Sequence, residues 1–342
     1  LNRLLAFVGL VVGLLLVLVL TLVVFRLPLG ASLQLLIDGA AGDKVGIARS
    51  LVKATPLVLT ALGVVVAWRA GMYNIGGEGQ FVIGAVTGAA VAKMFWHLPG
   101  PALNILILVG CVLGGSLYAG IAGWLHVKRG VQVVISTILL NFIALQVLGW
   151  AVAGPLHQAG TSIPLSDSLP DSVMLKRFDP QTDLHFGMFY ALVAVAVIYG
   201  FLFFTKAGFR LRLAGENARA ARTNRLNPGK YQIIAMLISG GLCGLAGGVE
   251  YTGVAGSVGA GTSQNWGFLA IPVALLGGLH PVGVLLSSVY FGALLAGSEN
   301  LGRFTPSGTT LVYVIQAVAV LGYIGLKALV ERKRMRPAEA TI

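Results

Sequence analysis

Asn, Gln, Glu and Gly crowded into one short stretch are the first residues here with chemistry to offer. RAGMYNIGGEGQ, residues 69–80, sets Asn74, Glu78 and Gln80 among Gly71, Gly76, Gly77 and Gly79, between two apolar runs. Glycines let the backbone leave helical geometry. Peptide groups freed in this way near a bilayer are tolerated only inside protein or beside a water-filled cavity. The stretch therefore reads as a broken or re-entrant helix lining a solute path, or as a turn at the membrane surface where Glu78 caps the following helix. Thr137 and Asn141, i and i+4 on one helical face, form a second polar pair in an apolar run that also carries Gln132, Ser136 and Gln146. They suit a polar conduit, and equally hydrogen bonds between helices. Glu250 and Glu299 fall near the outer ends of apolar runs, where interfacial solvation accounts for them, and His280 reads as a turn residue.

No catalytic constellation accompanies these groups. The chain lacks G-x-x-x-x-G-K-[ST], H-E-x-x-H and G-x-S-x-G. Cys111 and Cys243 lie in apolar runs and read as small fillers, with neither a disulfide framework nor metal spacing. No buried carboxylate pair or Asp/His chain suggests proton coupling.

The elements that must position these residues are membrane helices. Of 342 residues, 56% are hydrophobic and 11% charged, against about 25% charged in soluble domains. The 47 glycines suit transmembrane helices, which tolerate Gly better than soluble ones. Apolar segments fall at roughly 4–25, 54–68, 79–98, 101–125, 131–153, 186–205, 231–252, 267–280, 281–300 and 309–330. The fold class is all-α and polytopic, with about ten transmembrane helices. Leu4–Phe25 is uncharged and longer than a signal-peptide core of about 7–15 residues, so it reads as a retained first span. The net charge of +12 does not imply nucleic acid, because the basic residues sit in short segments between apolar runs, as topology signals do. The richest clusters, within 206–230 and 327–336, fall on the side of both termini, which makes that side cytoplasmic.

The chain reads as one transmembrane domain, 1–342. It has a first half (1–153), an extracytoplasmic polar loop (154–185) and a second half (186–342) of opposite orientation. Residues 26–53 read as an outer surface segment with an amphipathic helix. A glycine-rich break follows the second span of each half, at 69–79 and 253–267, on opposite faces. Interrupted segments at matching positions of inverted halves point to a transport site. Gly240, Gly244 and Gly248, four residues apart, let another helix approach closely.

The cytoplasmic stretch KAGFRLRLAGENARAARTNRLNPGK, 206–230, is rich in Lys and Arg, with Glu216 its only acid. ENARAAR within it reads as a short helix capped by Glu216 or Asn217, with Asn227-Pro228 as its stop. Its alanine face suits docking into a partner's groove; the alternative is a solvated topology loop.

Several stretches together resemble the membrane permease subunits of bacterial ABC importers, in the branch for simple sugars, nucleosides and branched-chain amino acids. They are ATPLVLTALGVVVAWRAGMYNIGGEGQFVIGA (54–85), VISTILLNFIAL (134–145), RLAGENARAARTNRLNPGKYQIIAMLISGGLCGLAGGVEYTG (212–253) and GFLAIPVALLGGLHPVGVLLSSVYFGALLAG (267–297). NIGGEGQ and GENARAAR are the most specific, and the 54–85 context looks most like the nucleoside-type permeases. GLHP, 278–281, departs from the pattern, in which Asn more often precedes the His.

The resemblance implies an import pore of two permease subunits in the bacterial inner membrane, the second a different chain. It implies partner ATPases that bind ATP and Mg²⁺, and an extracytoplasmic substrate-binding protein; this chain holds no cofactor. It implies that Gly215, Glu216, Asn217, Arg219, Ala220, Ala221 and Arg222 couple to the ATPase. The candidates for the path are Asn74, Glu78, Gln80, Thr137, Asn141 and Phe268. A polar, largely uncharged path suits a neutral hydroxylated solute, with nucleosides first and simple sugars second. The competing class is an ion-coupled secondary carrier.

Overall fold

The computed structural model describes residues 28–304 together with Val19, Val23, Val314 and Ala317. The expected spans at 4–25 and 309–330 and the basic cluster at 327–336 lie outside the described residues. The described chain is helical, with isolated β-bridges in place of strands. It runs through α1 (Leu29–Ile37), a π-helical turn (Asp38–Gly42), α2 (Lys44–Arg69), α3 (Gly77–Met94), α4 (Gly100–Arg129), α5 (Val133–Ala153) and α6 (Gly187–Phe204). It continues through α7 (Lys206–Glu216), α8 (Ala218–Thr223), α9 (Pro228–Glu250), a second π-helical turn (Tyr251–Ala255), α10 (Trp266–Leu276) and α11 (Pro281–Phe304).

Among the described residues six helices are long and apolar enough to cross a membrane: α2, α4, α5, α6, α9 continued to Ala255, and α11. A helix satisfies its backbone polar groups internally, as a bilayer requires. α10 is apolar but shorter, and α3 starts on the polar GEGQ turn.

The 26–53 segment holds one short helix, α1, and the first turns of α2. The second span thus starts at Lys44 and runs to Arg69, earlier than the predicted start at 54. Asp43 starts that helix by accepting the Gly46 N–H at 2.6 Å, the local signal that the apolar count missed.

Two compact units divide the chain. One draws on Leu1–Ser50 and Phe291–Ile342. In it the Asn300 amide donates to Leu35 O at 2.8 Å, and Leu36 packs with Leu301. The other, Leu51–Tyr290, holds every site described below. Its centre is a seam of bare backbone between α3, α4 and α9. Gly84 meets Gly244, and Gly115 meets both Gly240 and Gly244, so closely that a β-carbon at any of them would overlap the neighbour. The four-residue glycine spacing is therefore a packing device. Cys111 and Cys243 are buried, unbonded thiols in the same unit.

The 154–186 connection is polar, as its composition predicts, and it is pinned. Ser166, Leu169 and Leu175 donate backbone N–H groups to the carbonyls of Val258, Gly256 and Thr252, at 2.9, 2.8 and 2.8 Å. His185 at its end is buried, and its Nδ1 accepts the Gly187 N–H at 3.0 Å. Burial, reinforced by Arg177 and opposed by Asp183, pulls its pKa down to about 4, so the ring is neutral at neutral pH.

Candidate functional site

The chain leaves α2 through Gly71, whose φ of 74° lies in the left-handed region that glycine enters without penalty. The residues up to Gly76 then run without helical bonding, and side chains satisfy the freed peptide groups. Asn74 and Gln80 exchange two amide hydrogen bonds of 3.0 Å, and the Asn74 amide also donates to Ser239 Oγ at 3.0 Å. Asn74 Oδ1 accepts the Gly76 N–H at 2.8 Å. From α5, Thr137 Oγ1 accepts the Ile75 N–H at 3.3 Å. Asn141 accepts the Gly79 N–H at 2.8 Å and donates to Ile75 O at 3.0 Å.

Glu78 performs a different task. It sits in the first turn of α3, yet its carboxyl serves the first turn of α10. Oε2 accepts the Gly267 N–H at 2.9 Å, and Oε1 accepts the Ser263 hydroxyl. The N-cap of α10, Asn265, makes no side-chain cap of its own and has a φ of 63°, so Glu78 supplies the missing acceptor. The two helix N-termini touch there: a β-carbon on Gly267 would collide with the backbone of Gly77 and Glu78. The sequence reading put the two glycine-rich breaks on opposite faces of the membrane. Their direct hydrogen bonds show that they are not a bilayer apart. Length counts assign each break to a loop, but α3 and α10 start where the breaks meet.

The structure thus brings Asn74, Glu78, Gln80, Thr137 and Asn141 together, all buried to within 3% of full enclosure. Phe268 lies in the first turn of α10 and is 42% exposed. Of the two readings open for Thr137 and Asn141, both side chains make hydrogen bonds between elements. Sequence reasoning missed Ser239, Ser263 and Gly267. Ser239, the hydroxyl beside the α9 glycine row, carried a signal; Gly267 carried none, since its role is to let Glu78 approach.

The basic stretch resolves into a helix pair. Thr205 caps α7 by accepting the Gly208 N–H at 3.0 Å. Asn217, in extended geometry, breaks the chain from α7 and caps α8 by accepting the Ala220 N–H at 2.9 Å. Glu216 therefore ends α7 rather than capping the next helix. Asn227-Pro228, read as a stop, is also a start: Asn227 caps α9, with Pro228 in its first turn. Glu216, Asn217, Arg219 and Arg222 are exposed, Ala220 is half-buried and Ala221 is fully buried. Part of the alanine face is thus covered by the chain itself. Gly215 lies against the backbone of Arg69, Ala70 and Gly71. Arg69 in turn donates Nε to Leu279 O at 3.1 Å. The exposed helix pair and the polar break are therefore in direct backbone contact.

Residues 46–323 match the family described as the branched-chain amino acid transport system / permease component. The chain belongs to this permease family. It is 32% identical over 294 residues to the guanosine ABC transporter permease protein NupP of Bacillus subtilis, covering 83% of this chain and 82% of that one. It is 32% identical over 292 residues to the glucose ABC transporter permease protein TsgB13 of Haloferax volcanii, covering 82% and 76%. The nucleoside ABC transporter permease protein NupB of Lactococcus lactis is 27% identical over 351 residues, covering 93% and 94%. As a permease the chain is a multi-pass membrane transport component and not an enzyme.

Proposed function

We propose that this permease is one translocation subunit of an ATP-driven importer for neutral hydroxylated solutes, nucleosides ahead of simple sugars. The relatives named for guanosine, nucleosides and glucose support that solute class. The ion-coupled carrier finds no support in them. The observation that carries the mechanism is the contact of Gly215 with Arg69–Gly71, which joins an exposed helix to the polar break.

In this reading partner ATPases, which bind ATP and Mg²⁺, receive the segment from Gly215 to Arg222 and push on it. Displacement of Gly215 moves Gly71 and so the start of α3. The α3–α10 junction held by Glu78 then rearranges, exposing the path to one side and then the other. Asn74, Gln80, Thr137 and Asn141 hold the break in shape, and Phe268 is the side chain offered to solute. A second, different permease chain completes the pore, and an extracytoplasmic binding protein delivers the solute. The chain as a whole is one domain of about ten spans in two inverted halves, 1–153 and 186–342. The 154–185 loop lies outside, and the coupling loop 206–230 and both termini lie in the cytoplasm of the inner-membrane topology.

Replacing Glu216 and Arg219 together by alanine tests this, because both are exposed and their loss leaves the fold intact. In vesicles holding the partner subunits, ATPase stimulation and uptake should fall at least tenfold while insertion is unchanged. Wild-type rates in that variant refute the coupling assignment. The solute retained by the cognate binding protein decides the solute class.

A further inference from the structure

We infer that the far end of α3 and the 155–168 connection form an entry cleft that holds a hydroxylated ring solute, a nucleoside or a sugar, before it reaches the path. The inference rests on the solute class proposed above and adds a site to it. Trp96, just past the end of α3, is 45% exposed. Lys93 Nζ donates to Pro155 O at 3.0 Å and lies 3.9 Å from Asp167 Oδ2. With Gln158 and Ser168 these residues line an open cleft of about 420 Å³, within the ~300–1,000 Å³ of small-molecule sites. Behind the cleft, Lys93, Trp96 and Asp167 pack with Leu156, Ser166 and Tyr251 around a gap too small to admit water.

The walls are preformed. Ser166 donates its N–H to Val258 O at 2.9 Å and accepts the Val258 N–H on its hydroxyl at 2.8 Å. The Gln158 N–H donates to Leu165 O at 2.9 Å. The lining matches a ring with one apolar face and a polar edge. The indole of Trp96 offers a flat surface, Asp167 accepts from hydroxyl or amino groups, and Lys93 and Gln158 donate. Lys93 facing Asp167 leaves the cleft with little net charge, which favours a neutral ligand over a phosphate. Both partners are about half exposed, so their pairing adds little to stability and does not by itself account for the arrangement. The cleft lies at the opposite end of α3 from Glu78; Lys93 is 15 residues further along the helix, about 22 Å at 1.5 Å per residue. One helix therefore links the entry to the break.

The test uses the complete transporter in nanodiscs, photolabelled with 8-azidoadenosine in competition with guanosine and with glucose. Label should map to the peptides carrying Lys93–Trp96 and Gln158–Ser168. It should fall at least fivefold in W96A and in D167N, and persist in W96F. The uptake KM should rise about tenfold in W96A and D167N, with turnover at saturating solute unchanged. Label that maps elsewhere, with unchanged KM in both variants, overturns the cleft and leaves the importer reading standing. Variants that weaken capture of the substrate-binding protein and leave labelling intact assign the surface to protein docking, which also overturns it. A transporter that imports neither nucleosides nor sugars overturns both.

Discussion

The Glu78 carboxyl is the group on which the α3–α10 junction depends, and its removal has a calculable cost. Glu78→Ala strips the acceptor from the Gly267 N–H and from the Ser263 hydroxyl. The Gly267 N–H is held against the Gly77–Glu78 backbone, where water does not replace the lost partner. An orphaned buried donor costs about 1–3 kcal/mol, and the second hydrogen bond contributes about 1 kcal/mol. Together with lost packing, Glu78→Ala should destabilise the protein by about 3–5 kcal/mol. Glu78→Gln should behave differently. Its amide oxygen still accepts from Gly267, and its NH₂ donates to Ser263 Oγ, so the cost stays near 1 kcal/mol. The assay is unfolding of the detergent-solubilised permease, by steric trapping for the free energy, with hydrogen exchange of the Gly267 amide as the local readout. That amide should lose protection in Glu78→Ala and keep it in Glu78→Gln. A cost below 1 kcal/mol for Glu78→Ala, with the Gly267 amide still protected, would refute the capping argument.

Three further outcomes follow from the same geometry. Asn141→Leu keeps the branching at Cγ but orphans the Gly79 N–H and Ile75 C=O, so unfolding free energy should drop by about 2–5 kcal/mol. Gly215→Val drives a side chain into the Arg69–Gly71 backbone and should cut ATPase stimulation and uptake more than tenfold in proteoliposomes, with Gly215→Ala intermediate. His185 titrates near 4 in the fold against ~6.5 when free. Its contribution is full above pH 6.5 and fades as pH falls toward 4, by about 3 kcal/mol in all; hydrogen exchange over 175–186 should rise in that window, and His185→Phe should remove the pH dependence.

Much of the architecture was legible because a bilayer restricts the alternatives. Charge-free runs such as 131–153 and 186–205 correspond to α5 and α6 within a few residues, since only a helix hides their backbone from lipid. The glycine row of α9 was legible for a similar reason: small residues one turn apart have few uses other than close approach. Thr137 and Asn141 could be placed on one face, but their partners could not be named. Nothing local says that the Asn141 amide reaches both Gly79 and Ile75. The start of α2 was not legible from the apolar count because Lys44, Arg49 and Lys53 look like a surface, although the Asp43 cap marks it.

The sequence by itself determined that this chain is a bundle of membrane helices with a polar, glycine-rich interruption and an exposed basic helix. Those conclusions rest on hydropathy, charge placement and backbone freedom, which are properties of neighbouring residues. Tertiary structure alone decided that the Glu78 carboxyl caps a helix far along the chain, that Gly215 rests on Arg69–Gly71, and that Trp96 and Asp167 line one cleft. Each of those contacts joins segments whose meeting depends on how the helices pack, and no local pattern encodes which two will touch.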